Sequence, residues 1–365
     1  MTALHIGQVT INSLDPALDA AFTAFYQAVQ KGVMPNEGQF DSAAGAFLSG
    51  TTQAPDHDGY FNNFTPLWQM HMQSQHFSAA ESVWSWALRP ALALESSGAT
   101  PIHKGTPYYF WGMTALLGDR LDVGYLLMHR AFEEDVRTHG STAPNTPGWA
   151  LLTLDHHRPD QAFRSWVQLQ AKAVEERVIR YNKLHGRAFD LRTMRTRFLA
   201  QPQYRESVQL YCYAMARVNR LLGLPPQLWE GPFPAQVAFD ALFDICLVID
   251  AVIHLKYPTD WRFISLAEAL SSNASLRLSR AQLGEINTIF LNSFGGALSK
   301  ALNGTLTLKD GTLLGGLANS LSIAYGCRNR GAHSVATVPL TNVEFDNVVD
   351  HLSAVLFLAI ETMYP

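Results

Sequence analysis

The chain has 365 residues, a formal net charge of −4 and 47% hydrophobic residues, enough for two or three domains with substantial cores and too apolar for a disordered polypeptide. Three widely separated cysteines, Cys212, Cys246 and Cys327, lack the pairing of a disulfide framework and the spacing of a cysteine metal site. No basic stretch followed by an apolar run opens the N-terminus, and no segment gives about 20 uncharged apolar residues, so the expectation is a protein of the reduced cytoplasm that does not enter a membrane.

Charge is unevenly distributed. Residues 1–160 carry 7 Lys and Arg against 15 Asp and Glu (−8), residues 161–222 carry 12 against 4 (+8), and residues 223–365 carry 8 against 12 (−4). A basic middle segment attracts polyanions through counterion release, or pairs with the acidic N-terminal region of the same molecule; charge alone leaves both uses open.

In chain order, Ser13-Leu14-Asp15-Pro16 begins a predicted helix over residues 13–31, with Ser13 or Asp15 as cap, Pro16 in the first turn and a stripe of Ala21, Phe22, Phe25, Tyr26 and Val29. From Gly32 to about Tyr60, glycine, serine, proline and aspartate predict loop with at most short helices. Two helical hairpins follow between Phe64 and Arg137. In the second, Tyr108, Trp111, Gly112, Ala115, Gly124, Met128 and Ala131 resemble the bulky and small packing positions of a tetratricopeptide repeat, and Phe64, Leu67, Trp68, Ala80, Trp84 and Ala87 in the first resemble them less closely. Gly112 and Gly124 would let two helices approach, with Gly118-Asp119 as the turn. The aromatic residues serve a helical core; a concave face for a protein regulator is the corresponding partner expectation. In Asp155-His156-His157-Arg158 the adjacent histidines point apart on a helix and no completing ligand is evident, so no metal ligand is assigned.

The basic segment predicts a helix from about Pro159 to His185 and another from about Gln203 to Leu222. Between them Arg187, Arg192, Arg195 and Arg197 alternate with Phe189 and Phe198, a pattern able to hold single-stranded RNA by phosphate contact and base stacking, or to form a solvated face. After Leu224-Pro225-Pro226 and Gly231-Pro232-Phe233-Pro234, four helices are predicted: Ala235–Leu255, Ser279–Leu291, Leu313–Arg328 and Thr341–Met363. The first and last are apolar around most of their surface, as in a compact bundle.

Three features there resemble the HEPN family, the higher-eukaryote and prokaryote nucleotide-binding bundles of four or five helices. They are the helix Phe243-Asp244-Ile245-Cys246-Leu247-Val248-Ile249-Asp250, the apolar run from Leu313 to Tyr325, and Arg328-Asn329 followed by His333. The family's nuclease motif is an arginine, a polar residue and a histidine after four to six intervening positions. The resemblance covers residues 231–365 and implies metal-independent RNA cleavage, without a cofactor, by a homodimer that brings two motifs together through the C-terminal bundle. The expected architecture is all-α: a tetratricopeptide-like region at 1–158, a basic helical connecting segment at 159–230, and a HEPN-like bundle at 231–365.

The chemistry of these residue types agrees with that implication. RNA carries its own nucleophile, the 2′-hydroxyl; His333 can exchange a proton with it or with the leaving 5′-oxygen, Arg328 can hold the phosphate oxygens, and Asn329 can orient either. Arg330 is a second phosphate contact or a solvent-facing cation. Asp244, Asp250 and His254 lie on the first bundle helix, Asp250 and His254 on one face at i and i+4; structural hydrogen bonding or exposure is their expected role, with support of the motif as the alternative. Arg328 capping its helix and His333 bonding a loop is the purely structural alternative. Two functions follow as expectations: an endoribonuclease of toxin or defence type, or a non-catalytic RNA- or nucleotide-binding adaptor.

Overall fold

The computed structural model describes residues 3–6, 9–98, 101–140, 146–155, 161–229, 231–259, 262–333 and 338–364, with side chains at 3–6, 147, 161, 162, 232 and 331–333 outside the description. The fold is all-α, 77% helical with 17 α-helices among the described residues, and the chain divides into two compact units, Met1–Leu151 and Leu152–Pro365. No helix among the described residues is long and apolar enough to cross a membrane.

The first unit opens with an antiparallel hairpin, β1 (Ala3–Ile6) and β2 (Val9–Asn12), too short for the sequence pattern to reveal. Asn63 closes its edge: Asn12 N–H donates to Asn63 Oδ1 at 2.8 Å, and Asn63 Nδ2 donates to Asn12 O at 3.1 Å. Helix α1 (Pro16–Gln30) starts where its cap predicts, with Asp15 Oδ1 accepting from the amides of Ala17 and Leu18. The stretch expected to be loop forms α2 (Glu37–Gly50) and α3 (Ala54–Asn62). Phe40, Ala44 and Leu48 recur every four residues, so α2 buries one narrow stripe despite its glycines. Phe22, Phe25, Phe40, Tyr60 and Phe64 meet in tilted and edge-on ring contacts at 5.0–6.1 Å.

Both predicted hairpins form, as α4 (Thr65–Gln73) with α5 (Phe77–Ser96), and α6 (Gly105–Leu117) with α7 (Leu121–His139). A Cβ on Gly112 would lie 3.1 Å from Gly124 O, and one on Gly124 only 2.4 Å from Leu116 Cγ, so these glycines do bring α6 and α7 together. Trp68 Nε1 donates to Thr114 Oγ1 at 2.8 Å, and Trp84 stacks on Phe110, which places the tryptophans in the core.

Helix α8 (Pro147–Leu152) leads to the second unit, which contains α9 (Gln161–His185), α10 (Leu191–Met194), α11 (Arg205–Leu222), α12 (Pro232–His254), α13 (Phe263–Asn273), α14 (Arg280–Asn292), α15 (Phe294–Leu302), α16 (Gly316–His333) and α17 (Asn342–Met363). The sequence reading missed α13 and α15. Every residue from Leu352 to Ile360 in α17 is buried, because α9, α12 and α16 surround it. The basic segment expected to connect two domains is part of this unit, since α9 packs on α17 and α11 on α12. Its charge pairs within the unit: Arg177 donates to Asp346 at 2.9 Å and Asp350 at 2.7 Å, Arg180 donates to Asp346 at 2.9 Å, and Arg217 meets Asp240 and Asp244 at 2.5 and 2.7 Å.

Candidate functional site

The carboxyl end of α16 is built around a close helix crossing. A Cβ on Gly326 would fall 2.2 Å from Phe290 Cδ1, so only glycine lets α14 and α16 meet here. Two residues further, Arg328 emerges half-buried. Its Nη2 and Nε donate to Asp250 Oδ2 on α12 at 3.0 and 3.3 Å, and its guanidinium carbon lies 5.3 Å from the centre of the Phe263 ring on α13. Asp250 is therefore the partner of the motif arginine. Nothing in the sequence links that carboxylate to Arg328, 78 positions away.

Asn329 is held by Asn287 of α14, to which its Nδ2 donates at 2.7 Å, and its Oδ1 lies 3.5 Å from Arg328 Nη1. It also hydrogen-bonds Tyr325, whose hydroxyl burial pushes above the ordinary tyrosine value. Asn287 and Phe263 were not anticipated, because nothing local marks an asparagine or a phenylalanine as the support of a residue on another helix. Arg330 is half-buried, with its Nε enclosed and without a hydrogen-bond partner among the described residues.

The expected helix end at Arg328 is corrected: α16 runs on to His333, its last helical residue. The His333 side chain lies outside the described residues. Positions 328 and 333 of one helix are about 140° apart around the axis and about 7.5 Å apart along it. Burial pushes the Cys327 thiol up to about 12 and Cys246 well above its ordinary value, which makes both inert as nucleophiles. The guanidinium and amides gathered here can donate to an anion, while the one carboxylate, Asp250, accepts from the guanidinium.

The four arginines between α9 and α11 are placed differently from one another. Arg195 donates to Thr153 O and Leu154 O at 3.2 and 2.8 Å, Arg197 donates to Glu361 O at 3.0 Å, and Arg187 lies 3.7 Å from a Glu361 carboxylate oxygen. Those three spend donors on the protein's own oxygens, whereas Arg192 is exposed. Phe189 and Phe198 are buried in aromatic contacts with Phe357 and Tyr364, so neither ring is a surface for base stacking. His156, His157 and Arg158 lie outside the described residues. Comparison with family models, with curated proteins and with solved structures gave no match to the chain.

Proposed function

We propose that the protein is a metal-independent endoribonuclease of HEPN type, in which Arg328 binds the scissile phosphate, Asn329 positions it and His333 transfers the proton. The observation that carries this reading is the mounting of Arg328 at the end of α16. Asp250 grips one edge of the guanidinium, while among the described residues Nη1 makes the 3.5 Å contact to Asn329. A guanidinium held in one orientation by a carboxylate is prepared for the charge that develops on phosphate oxygens as the 2′-hydroxyl attacks. Proton transfer by histidine adds about 10²–10⁴ in rate. The products are a 2′,3′-cyclic phosphate and a 5′-hydroxyl.

Because positions 328 and 333 stand on different sides of α16, a second copy of the C-terminal bundle completes the centre in this reading. Each protomer then offers an arginine to one phosphate and a histidine to the other chain's site. Arg330 and the exposed Arg192 are the RNA-contacting cations of this reading, with Arg187, Arg195 and Arg197 in supporting positions. The tetratricopeptide-like hairpins take a protein regulator, as in a toxin or defence effector. A non-catalytic RNA- or nucleotide-binding adaptor is the second reading, in which Arg328 holds a phosphate without cleavage.

The deciding experiment incubates labelled RNA in EDTA with the wild type, Arg328→Gln and His333→Ala, and maps the ends produced. Cleavage by the wild type alone, leaving cyclic phosphate ends, is the expected result. Equal cleavage by all three removes the site, and a wild type inactive on a broad RNA panel that still binds RNA leaves the adaptor.

A further inference from the structure

The first unit contains a second group of chemically competent side chains, independent of the α16 motif. Asp135 and His139 lie one turn apart on the last two turns of α7, and so share a face. His103 reaches the same point from the segment ahead of α6. One ligand atom from each of the three lies within 4.8 Å of the other two. His103 Nε2 stands 3.8 Å from Asp135 Oδ1, and the two imidazole rings are edge-on at 5.9 Å.

Their surroundings orient them as ligands are oriented. His103 Nδ1 is 2.8 Å from Thr138 Oγ1, which can accept a proton carried on Nδ1; in that tautomer the Nε2 lone pair is free on the side of Asp135. Thr146 hydrogen-bonds the Asp135 carboxylate. The segment carrying His103 is pinned on both sides: Ile102 N–H donates to Glu95 Oε1 at 2.7 Å, Arg137 Nη2 donates to Ile102 O at 2.7 Å, and His103 N–H donates to His57 Nδ1 at 3.1 Å. Convergence depends on Gly105, where a Cβ would sit 2.6 Å from Asp135 Oδ1 and 2.9 Å from His103 Nε2. The neighbouring cations are committed elsewhere, Lys104 to Glu95 and Glu134, and Arg137 to Glu134. His103 and Asp135 are buried while His139 is exposed, so the group has an inner wall and an open side.

We propose that His103, Asp135 and His139 bind one divalent transition-metal ion of the zinc class, with the open side left for water or a substrate oxygen. Two imidazoles and a carboxylate are the donor set of zinc sites that keep a fourth position available, and imidazole nitrogen disfavours Mg²⁺ and Ca²⁺. Ligand atoms around such an ion are about 3.4 Å apart at tetrahedral bond lengths. Closing to that separation takes up to about 1.4 Å at the exposed His139 side chain and about 0.4 Å between His103 and Asp135. The carbonyl end of α7 favours a cation; the amino end of α6 does not, and an Asp135 that merely serves that helix end would bind no metal.

The test uses the full chain, freed of metal by EDTA and dialysed, then titrated with Co²⁺ and afterwards with Zn²⁺. A visible Co²⁺ absorption band saturating at one equivalent, displaced by one equivalent of Zn²⁺ and not by Mg²⁺, is the expected result. His139→Ala, at an exposed position, and the isosteric Asp135→Asn are each expected to weaken Zn²⁺ binding at least tenfold while keeping the wild-type circular dichroism, whereas the exposed-site control His76→Gln binds like the wild type. Absence of a saturable band in folded protein, displacement by Mg²⁺, or wild-type affinity in His139→Ala would overturn the site. The RNA assay is run in EDTA and this one without RNA, so either reading can fail alone.

Discussion

Among the described residues each unit buries a cation between two carboxylates, and the contrast between them explains where free chemistry remains. Lys104 in the first unit is 3% exposed and is satisfied by Glu95 at 2.6 Å, Glu134 at 3.1 Å and Ile102 O at 2.8 Å, all from neighbouring helices and its own segment. Arg177 in the second unit is 2% exposed and joins α9 to α17 through Asp346 and Asp350. Around Arg177, cations and carboxylates consume one another. Around Lys104 the balance leaves Asp135 and two histidines facing each other, a surplus of ligand atoms. A cluster of charge in sequence thus became scaffold in one unit, while scattered histidines became a candidate site in the other.

The largest expected effect breaks the scaffold. Arg177→Ala leaves Asp346 and Asp350 with Arg180 as their remaining cation, at 2.9 and 3.3 Å, and a loss of about 3 kcal/mol, the low end for a broken buried pair, is expected. Urea denaturation measures the loss, and hydrogen exchange should place it in α9 and α17. A change under about 1 kcal/mol would show that the pair is as weak as a surface ion pair.

Next comes acid. Burial pushes His351 of α17 down to about 4, with Ser320 Oγ 2.9 Å from its Nδ1. The unfolded chain takes up a proton near pH 6.5 that the folded histidine refuses until about pH 4, so stability falls as pH drops through that window, by up to about 3 kcal/mol. His351→Gln should flatten the slope between pH 6.5 and 4.5; an unchanged slope would assign the acid sensitivity to other groups.

The helix crossings are expected to cost less. Gly326→Ala drives a methyl into Phe290 in the second unit, and Gly124→Ala drives one into Leu116 in the first. Each should lower stability by about 1–3 kcal/mol, with Gly326→Ala the worse because an aromatic ring yields less than a leucine end. Thermal unfolding of the two variants compares the crossings directly. The smallest effect belongs to the exposed pair Arg130–Glu133, 2.8 Å apart, where Arg130→Ala should change stability by less than about 0.5 kcal/mol.

Much of the helix content was legible because caps and stripes are local. Asp15-Pro16 marks the start of α1, Thr341 with Glu344 forms the capping box that starts α17, and the Gly112–Gly124 approach follows from small residues at facing positions. The missed helices carried signals too. Phe263, Leu266, Ala267 and Leu270 in α13, like Phe294, Ala297, Leu298 and Ala301 in α15, follow the i, i+3, i+4, i+7 spacing, but the Gly295-Gly296 pair and serine-rich flanks obscured them. In the candidate site, Arg328, Asn329 and His333 stand close in sequence, so their motif could be read, while Asp250, Phe263 and Asn287 come from three other helices. Of the proposed metal ligands, Asp135 and His139 are a readable one-turn pair, and His103 arrives only through the packing of α6 on α7.

The sequence by itself determined an all-α chain, the position of most helices, the close α6–α7 crossing and the Arg328-Asn329 motif, because turn chemistry and helical periodicity act over a few residues. Tertiary structure alone decided the fate of charge. Arg177 meets carboxylates 169 and 173 positions away, Arg328 meets one 78 positions away, and the rings beside the basic arginines turn inward. Such pairings answer to the desolvation of buried groups, which seek whichever partner the packing brings within reach.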